Sequence, residues 1–119
     1  MFTSIKEYQQ QLLLGNTTCV ATVTHYLEKI NSKKHLNAFT EVFSKEALEK
    51  AAILDKERIN SKKTGRLHGI VVAIKDVICY KDHSLTAASK ILEGFVSIYN
   101  STAVQKLLEE EAIIIGCCN

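Results

Sequence analysis

The stretch HGIVVAIKDVICY, His68 to Tyr80, decides how this chain folds. Ile70 to Ile74 is its longest unbroken apolar run, and four of those five residues are β-branched. Such a run, entered through Gly69, predicts a strand continuing toward Tyr80, central in a sheet and covered on both faces. Lys75 and Asp76 interrupt it. A lysine here can end the strand and reach water along its own stem. It can instead pair with a carboxylate from elsewhere, but not with Asp76, because neighbours on an extended chain point to opposite faces. A third reading is chemical: a water-poor pocket disfavours the ammonium, and a neutral lysine then takes a proton from a hydroxyl. The residues alone leave these readings open.

Upstream, the first sixty residues read as three amphipathic helices. Ser4 and Glu7 form a capping box, with Ile5, Tyr8 and Leu12 on one face. Gly15 to Thr18 breaks that helix and caps a second, whose buried stripe is Val20, Val23, Leu27 and Ile30. Asn31 to Leu36 is a polar loop, and Asn37 to Phe43 a short extended piece. A third helix runs from Ser44 to Asn60, with Ala47, Leu48, Ala51, Ala52 and Ile59 inward. Ser61 to Gly65 reads as a solvated turn. Downstream of the apolar run, Asp82 to Ser84 is a loop, and Leu85 to Asn100 is irregular with one helical turn around Ser89 to Glu93. Thr102 and Gln105 cap a short helix through Val104, Leu107 and Leu108, and Ala112 to Ile115 forms a second buried strand. Helices followed by strand, helix and strand predict an α/β fold in a single unit, residues 1–119. Residues 1–60 form a helical lead-in, and residues 65–119 a strand-helix-strand part that carries the lysine.

The 119 residues are 46% hydrophobic and 24% charged, ordinary globular composition for one domain. The net charge of +2 is spread among carboxylates and makes no nucleic-acid footprint. No apolar run approaches a membrane span, and MFTSIKEYQQ has no signal-peptide pattern. Cys19, Cys79, Cys117 and Cys118 form no C-x-x-C pair, so we read them as reduced thiols packed as small hydrophobes. His25, His35, His68 and His83 are scattered and suggest neither a metal nor a catalytic cluster. Proline is absent, where about 5% usage would place roughly six.

GRLHGIVVAIKD, Gly65 to Asp76, resembles the segment around the catalytic lysine of the amidase signature family. The similarity continues through ASKILEGF (Ala88 to Phe95), STAVQKL (Ser101 to Leu107) and AIIIG (Ala112 to Gly116). LNAFTEVFSKEALEKA, Leu36 to Ala51, resembles the family's helical lead-in. Within the family the likeness is nearest to the glutamine-hydrolysing chains of tRNA-dependent amidotransferases. The resemblance implies a mixed β-sheet flanked by helices, here the N-terminal part of it. It also implies a mechanism in which a serine nucleophile, a bridging serine on a cis peptide and a lysine cooperate. Lys75 matches the lysine, as general base, and Ser89 falls near the substrate-binding loops. The implied reaction hydrolyses glutamine to ammonia. A partner subunit then uses the ammonia, with ATP and Mg, to amidate a mischarged Glu-tRNA. No cofactor is implied for this chain itself, and the implied location is cytoplasmic.

The family's two serines belong to a Gly/Ser-rich segment that these residues do not contain. A base without a nucleophile has nothing to deprotonate, so the chain alone is expected to be inactive. Its expected partners are the rest of the amidase domain, other amidotransferase subunits, or a second copy of itself through uncovered strands. The family usually has proline where Val71, Ser97 and Ile98 stand, asparagine at Val77 and glycine at Glu111. A Lys-Thr or Lys-Leu pair usually stands where Cys117 and Cys118 are. These departures support an alternative, a decayed copy or interaction module that kept the scaffold without the chemistry. A further alternative is a segment of a general small-amide hydrolase.

Overall fold

A computed structural model describes residues 1–60 and 63–119 of the chain. The predicted turn at Ser61 to Gly65 lies partly outside the described residues. Among the described residues, four α-helices, α1 (Ile5–Leu13), α2 (Cys19–Ser32), α3 (Ser44–Ile59) and α4 (Thr102–Glu109), surround three strands, β1 (Phe39–Val42), β2 (Val71–Lys75) and β3 (Ile113–Cys118). The sheet order is β1-β3-β2, with β3 antiparallel to β1 and parallel to β2. This is the mixed α/β arrangement the sequence predicts.

The helix starts follow from their caps. Ser4 Oγ accepts the Glu7 N–H at 3.1 Å, and Thr18 Oγ1 accepts the Ala21 N–H at 3.0 Å. α4 is capped one residue earlier than expected, because Ser101, not Thr102, accepts the Val104 N–H at 3.2 Å. Gln105 instead bonds Asn100 and Glu109 through its side chain.

Two cores sandwich the sheet. One gathers Tyr8 and Leu12 of α1, Cys19 and Val23 of α2, and Ala47, Ala51 and Leu54 of α3 against Ile113 and Ile115. The other packs Val104 of α4 and Phe43 against Ile74, Ile114 and Cys117. The inward faces differ in detail from the sequence pattern. Ile5, Ala52 and Ile59 are exposed, whereas Leu54 and Asp55 are buried. On α3 the buried residues recur as Ala47, Ala51, Leu54 and Asp55, a continuous helical stripe that Ala52 and Ile59 do not join.

The strands are also corrected. The central strand is β3, buried almost throughout. β2 ends at Lys75 rather than running to Tyr80, and it is an edge strand with Ala73 and Lys75 exposed. A bulge between Val72 and Ala73 shifts the β2–β3 register. Parallel strands normally lie covered on both faces; here only β3 meets that condition.

Glycines sit where backbones touch. Gly69 has φ +75°, and a Cβ there would lie 2.5 Å from Cys19 Sγ. A Cβ on Gly116 would lie 2.5 Å from the Glu41 carbonyl oxygen and 2.9 Å from the Phe39 ring, so β1 crosses β3 with no room for a side chain.

Candidate active site

Lys75 is the last residue of β2, opposite Cys118 at the end of β3. Its backbone is bracketed by hydrogen bonds. The Ile78 N–H donates to the Lys75 carbonyl at 3.0 Å, and the following N–H, of Asp76, donates to the Cys118 carbonyl at 2.9 Å. Ligands of open α/β sheets gather at the carboxyl ends of parallel strands, which is where Lys75 stands. Its side chain is exposed within these residues. The strand stops at the ammonium and lets it out.

Asp76 faces the other way and is buried. Its carboxylate accepts the Thr86 N–H at 3.0 Å and the Thr86 hydroxyl, while its carbonyl accepts the Ala87 N–H at 2.9 Å. Thr86 to Ser89 closes as a tight turn, the Ser89 N–H donating to the Thr86 carbonyl at 2.8 Å. Both central residues have positive φ, Ala87 at 48° and Ala88 at 56°. That is the backbone of a type I′ turn, which normally uses asparagine and glycine. Ser89, half-buried, precedes the short helical turn Lys90–Leu92. Lys75 and Ser89 are therefore tied together through Asp76 and Thr86 and share no direct hydrogen bond among those observed.

The roles of Asp76 and Thr86 escape a reading of the sequence. SLTAAS contains no glycine or asparagine to announce a turn, and only the aspartate inside an apolar stretch hints at a buried acceptor.

A second polar cluster lies beneath α1 and α2. Asp55 accepts the Cys19 and Val20 N–H groups at 2.8 and 3.0 Å, capping α2 from the side, and pairs with Arg58 at 2.8 Å. Burial alone would raise the Asp55 pKa, but the backbone donors of Cys19 and Val20, together with Cys19 and Arg58 side chains, hold it below the ordinary value. Arg58 also reaches His68 Nε2 at 3.4 Å. His68 Nδ1 gives its hydrogen to Glu111, whose carboxylate also accepts the Gly65 N–H at 2.8 Å. Glu111 likewise sits below its ordinary pKa, because the Gly65 N–H and His68 outweigh the opposing effect of burial. This cluster ties α3, the Gly65–Gly69 turn and the α4–β3 junction together, and it is structural.

His83 is equally committed, stacked on Tyr80 at 3.8 Å and bonded to Glu46 at 2.7 Å. All four cysteines are free, and burial pushes the Cys19 and Cys117 thiols up to about 11. That makes both inert at neutral pH. Among the described residues no group of three or more His, Cys, Asp or Glu side chains is placed to hold a metal ion. No helix among them is long and apolar enough to cross a membrane. A groove of about 540 Å³ lies at the opposite edge of the sheet, between the end of α2 and β1, and Lys75 does not border it.

Comparison with known proteins connects this geometry to a lineage. The family model for Amidase matches residues 21–119. The A subunit of glutamyl-tRNA(Gln) amidotransferase from Chlorobium phaeobacteroides strain BS1 is 41% identical over 118 residues, covering 99% of this chain and 25% of that protein. Its counterpart in Chlorobaculum parvum is 40% identical over the same length, covering 24% of that protein. The chain thus spans about a quarter of the length of these relatives. Among solved structures, native peptide amidase from Stenotrophomonas maltophilia superposes with a TM-score of 0.91 at 28% identity, over 98% of this chain and 24% of that one. An amidase family protein from Bacillus anthracis gives 0.88 at 29% identity, again over 98% and 24%. The three-stranded mixed sheet, its flanking helices and the strand ending in Lys75 are accordingly shared architecture, and the chain belongs to the amidase family.

Proposed function

We propose that these residues are the lysine-bearing portion of an amide hydrolase, acting as the glutamine-hydrolysing subunit of a tRNA-dependent amidotransferase. One observation carries the reading: identity of about 40% across 99% of the chain to the corresponding amidotransferase subunits. Lys75 ends β2 within that match. Lys75 would draw the proton through a bridging serine from a serine nucleophile, both supplied by residues outside these 119. The nucleophile attacks the carboxamide carbon of glutamine, and the C–N bond breaks as the lysine's proton passes to the leaving nitrogen. Water then hydrolyses the acyl-serine to glutamate, while the ammonia goes to a partner that uses ATP and Mg to amidate Glu-tRNA.

The exposure of Lys75 sets a condition on this chemistry. Covering Lys75 removes water from the ammonium, which disfavours its charged form and leaves more of the amine neutral and able to act as a base. The face that carries Ala73 and Lys75, and the free edge of β2, are where further domain structure would provide the cover. The departures from the family pattern at Val77 and Glu111 favour a second reading, a scaffold that has shed its chemistry. Complementation separates the two. The 119-residue chain alone should release no ammonia from glutamine. Supplying the remainder of an amidase domain should restore release under the first reading and leave it absent under the second.

A further inference from the structure

We propose that Asp76 is a positioning residue for amide hydrolysis: its carboxylate clamps the strained Thr86–Ser89 turn to the end of β2 and so fixes Ser89 relative to Lys75. The proposal rests on Lys75 being the proton acceptor. Four hydrogen bonds converge on this one residue. Its N–H holds the end of β3 through Cys118, its carbonyl holds Ala87, and its two carboxylate oxygens hold the N–H and hydroxyl of Thr86.

The conformation of the turn explains why so many bonds gather there. Alanine in a left-handed conformation is penalised because its Cβ crowds the following carbonyl oxygen. Two in succession, at Ala87 and Ala88, persist only where the surroundings over-determine the backbone. A turn needed merely to reverse the chain is satisfied by asparagine and glycine without any buried carboxylate. Asp76 is moreover only 6% exposed, and the hydrogen bonds to it come from neutral groups, in contrast to Asp55 with Arg58. A buried carboxylate held this way is costly unless all its donors stay in place. The tip of the turn and Lys75 are both exposed, so the rigid Asp76–Thr86 linkage lies behind two surfaces that a substrate pocket would use.

The test uses the assembled enzyme and a shape-matched pair of variants. T86V keeps the size of the side chain and loses its hydroxyl, whereas T86S keeps the hydroxyl and loses a methyl. D76N provides an independent probe of the carboxylate. We expect T86V and D76N to lower kcat for glutamine hydrolysis by about tenfold or more with KM changed by no more than about twofold, as misplacement of reacting groups does. T86S should keep kcat within about twofold of the parent. Amide exchange at Ala87 and Ser89 should quicken in T86V and D76N but not in T86S. Parent-like kcat in T86V, or a T86S as slow as T86V, would overturn the proposal while Lys75→Ala is inactive. Full activity in Lys75→Ala would instead remove the reading on which the proposal rests.

Discussion

Glu111 stands at φ 69°, in the left-handed region where glycine is most at ease. Its carboxylate turns this into a useful position by accepting from Gly65 and His68. Glu111→Gln keeps the backbone conformation and removes the charge, and we expect a loss of about 1–2 kcal/mol in urea unfolding at pH 7. The sign of the pH dependence follows from its lowered pKa. The carboxylate's contribution is fully present above the ordinary value of 4.5 and is lost as pH falls through the lower folded value. Asp55, ordinarily 3.8 and also lowered, adds a second loss at still lower pH. The contribution of these two carboxylates to unfolding free energy should therefore be constant above about pH 5 and decline below it. E111Q should decline less steeply, and an identical slope would contradict the assignment. At the turn, Ala88→Gly relieves a left-handed alanine at the expense of chain entropy, for a net gain of about 0.5 kcal/mol. Destabilisation by that change would show that the turn is not strained.

At the level of elements, α2 depends on a carboxylate from a neighbouring helix. Thr18 caps one N–H, but the Cys19 and Val20 N–H groups are satisfied by Asp55 of α3. Asp55→Ala leaves both donors and Arg58 without their partner, and should cost about 3 kcal/mol by thermal or urea unfolding. A change below about 1 kcal/mol would mean that water replaces the carboxylate. The helices were legible in sequence because capping and spacing are local. Ser4 with Glu7 and the stripe through Val20, Val23 and Leu27 are written within a few residues of each other. The face of α3 was less legible, since a buried Asp55 breaks the apolar pattern and only its distant partners explain it. The β2 strand was legible in type but not in position. An apolar run reads the same at an edge as at a centre, and which strand is central depends on pairing between residues far apart in sequence. The family's proline at Val71 fits the edge placement, because a strand's first residue tolerates a missing donor. At Ser97, by contrast, the N–H donates to the His83 carbonyl at 3.0 Å, a bond proline would not make.

For the molecule as a whole, the three-stranded sheet keeps two open edges among the described residues. β1 and β2 each pair on one side only, and Ala73, Val77, Ile91, Ile98 and Tyr99 are exposed. Apolar surface with free strand edges promotes association. The 119-residue chain should elute above its monomer mass at concentrations of tens of micromolar and pass into a one-to-one complex on addition of an amidase-domain remainder. A monomer at every concentration would contradict this. Lys75 was singled out as a candidate only because its surrounding sequence resembles a family over almost the whole chain. From chemistry alone, a lysine closing an apolar strand reads equally as a strand end, which is also what its backbone shows.

The most direct test of the account is the rate of glutamine hydrolysis by the assembled enzyme with Lys75 replaced. Lys75→Ala removes the amine, and Lys75→Arg keeps a charge that does not deprotonate. Both should lower kcat by about a hundredfold to ten-thousandfold, the usual contribution of a positioned base, with the fold and association unchanged. Activity within about threefold of the parent in both variants would contradict the central claim that this chain supplies the proton acceptor.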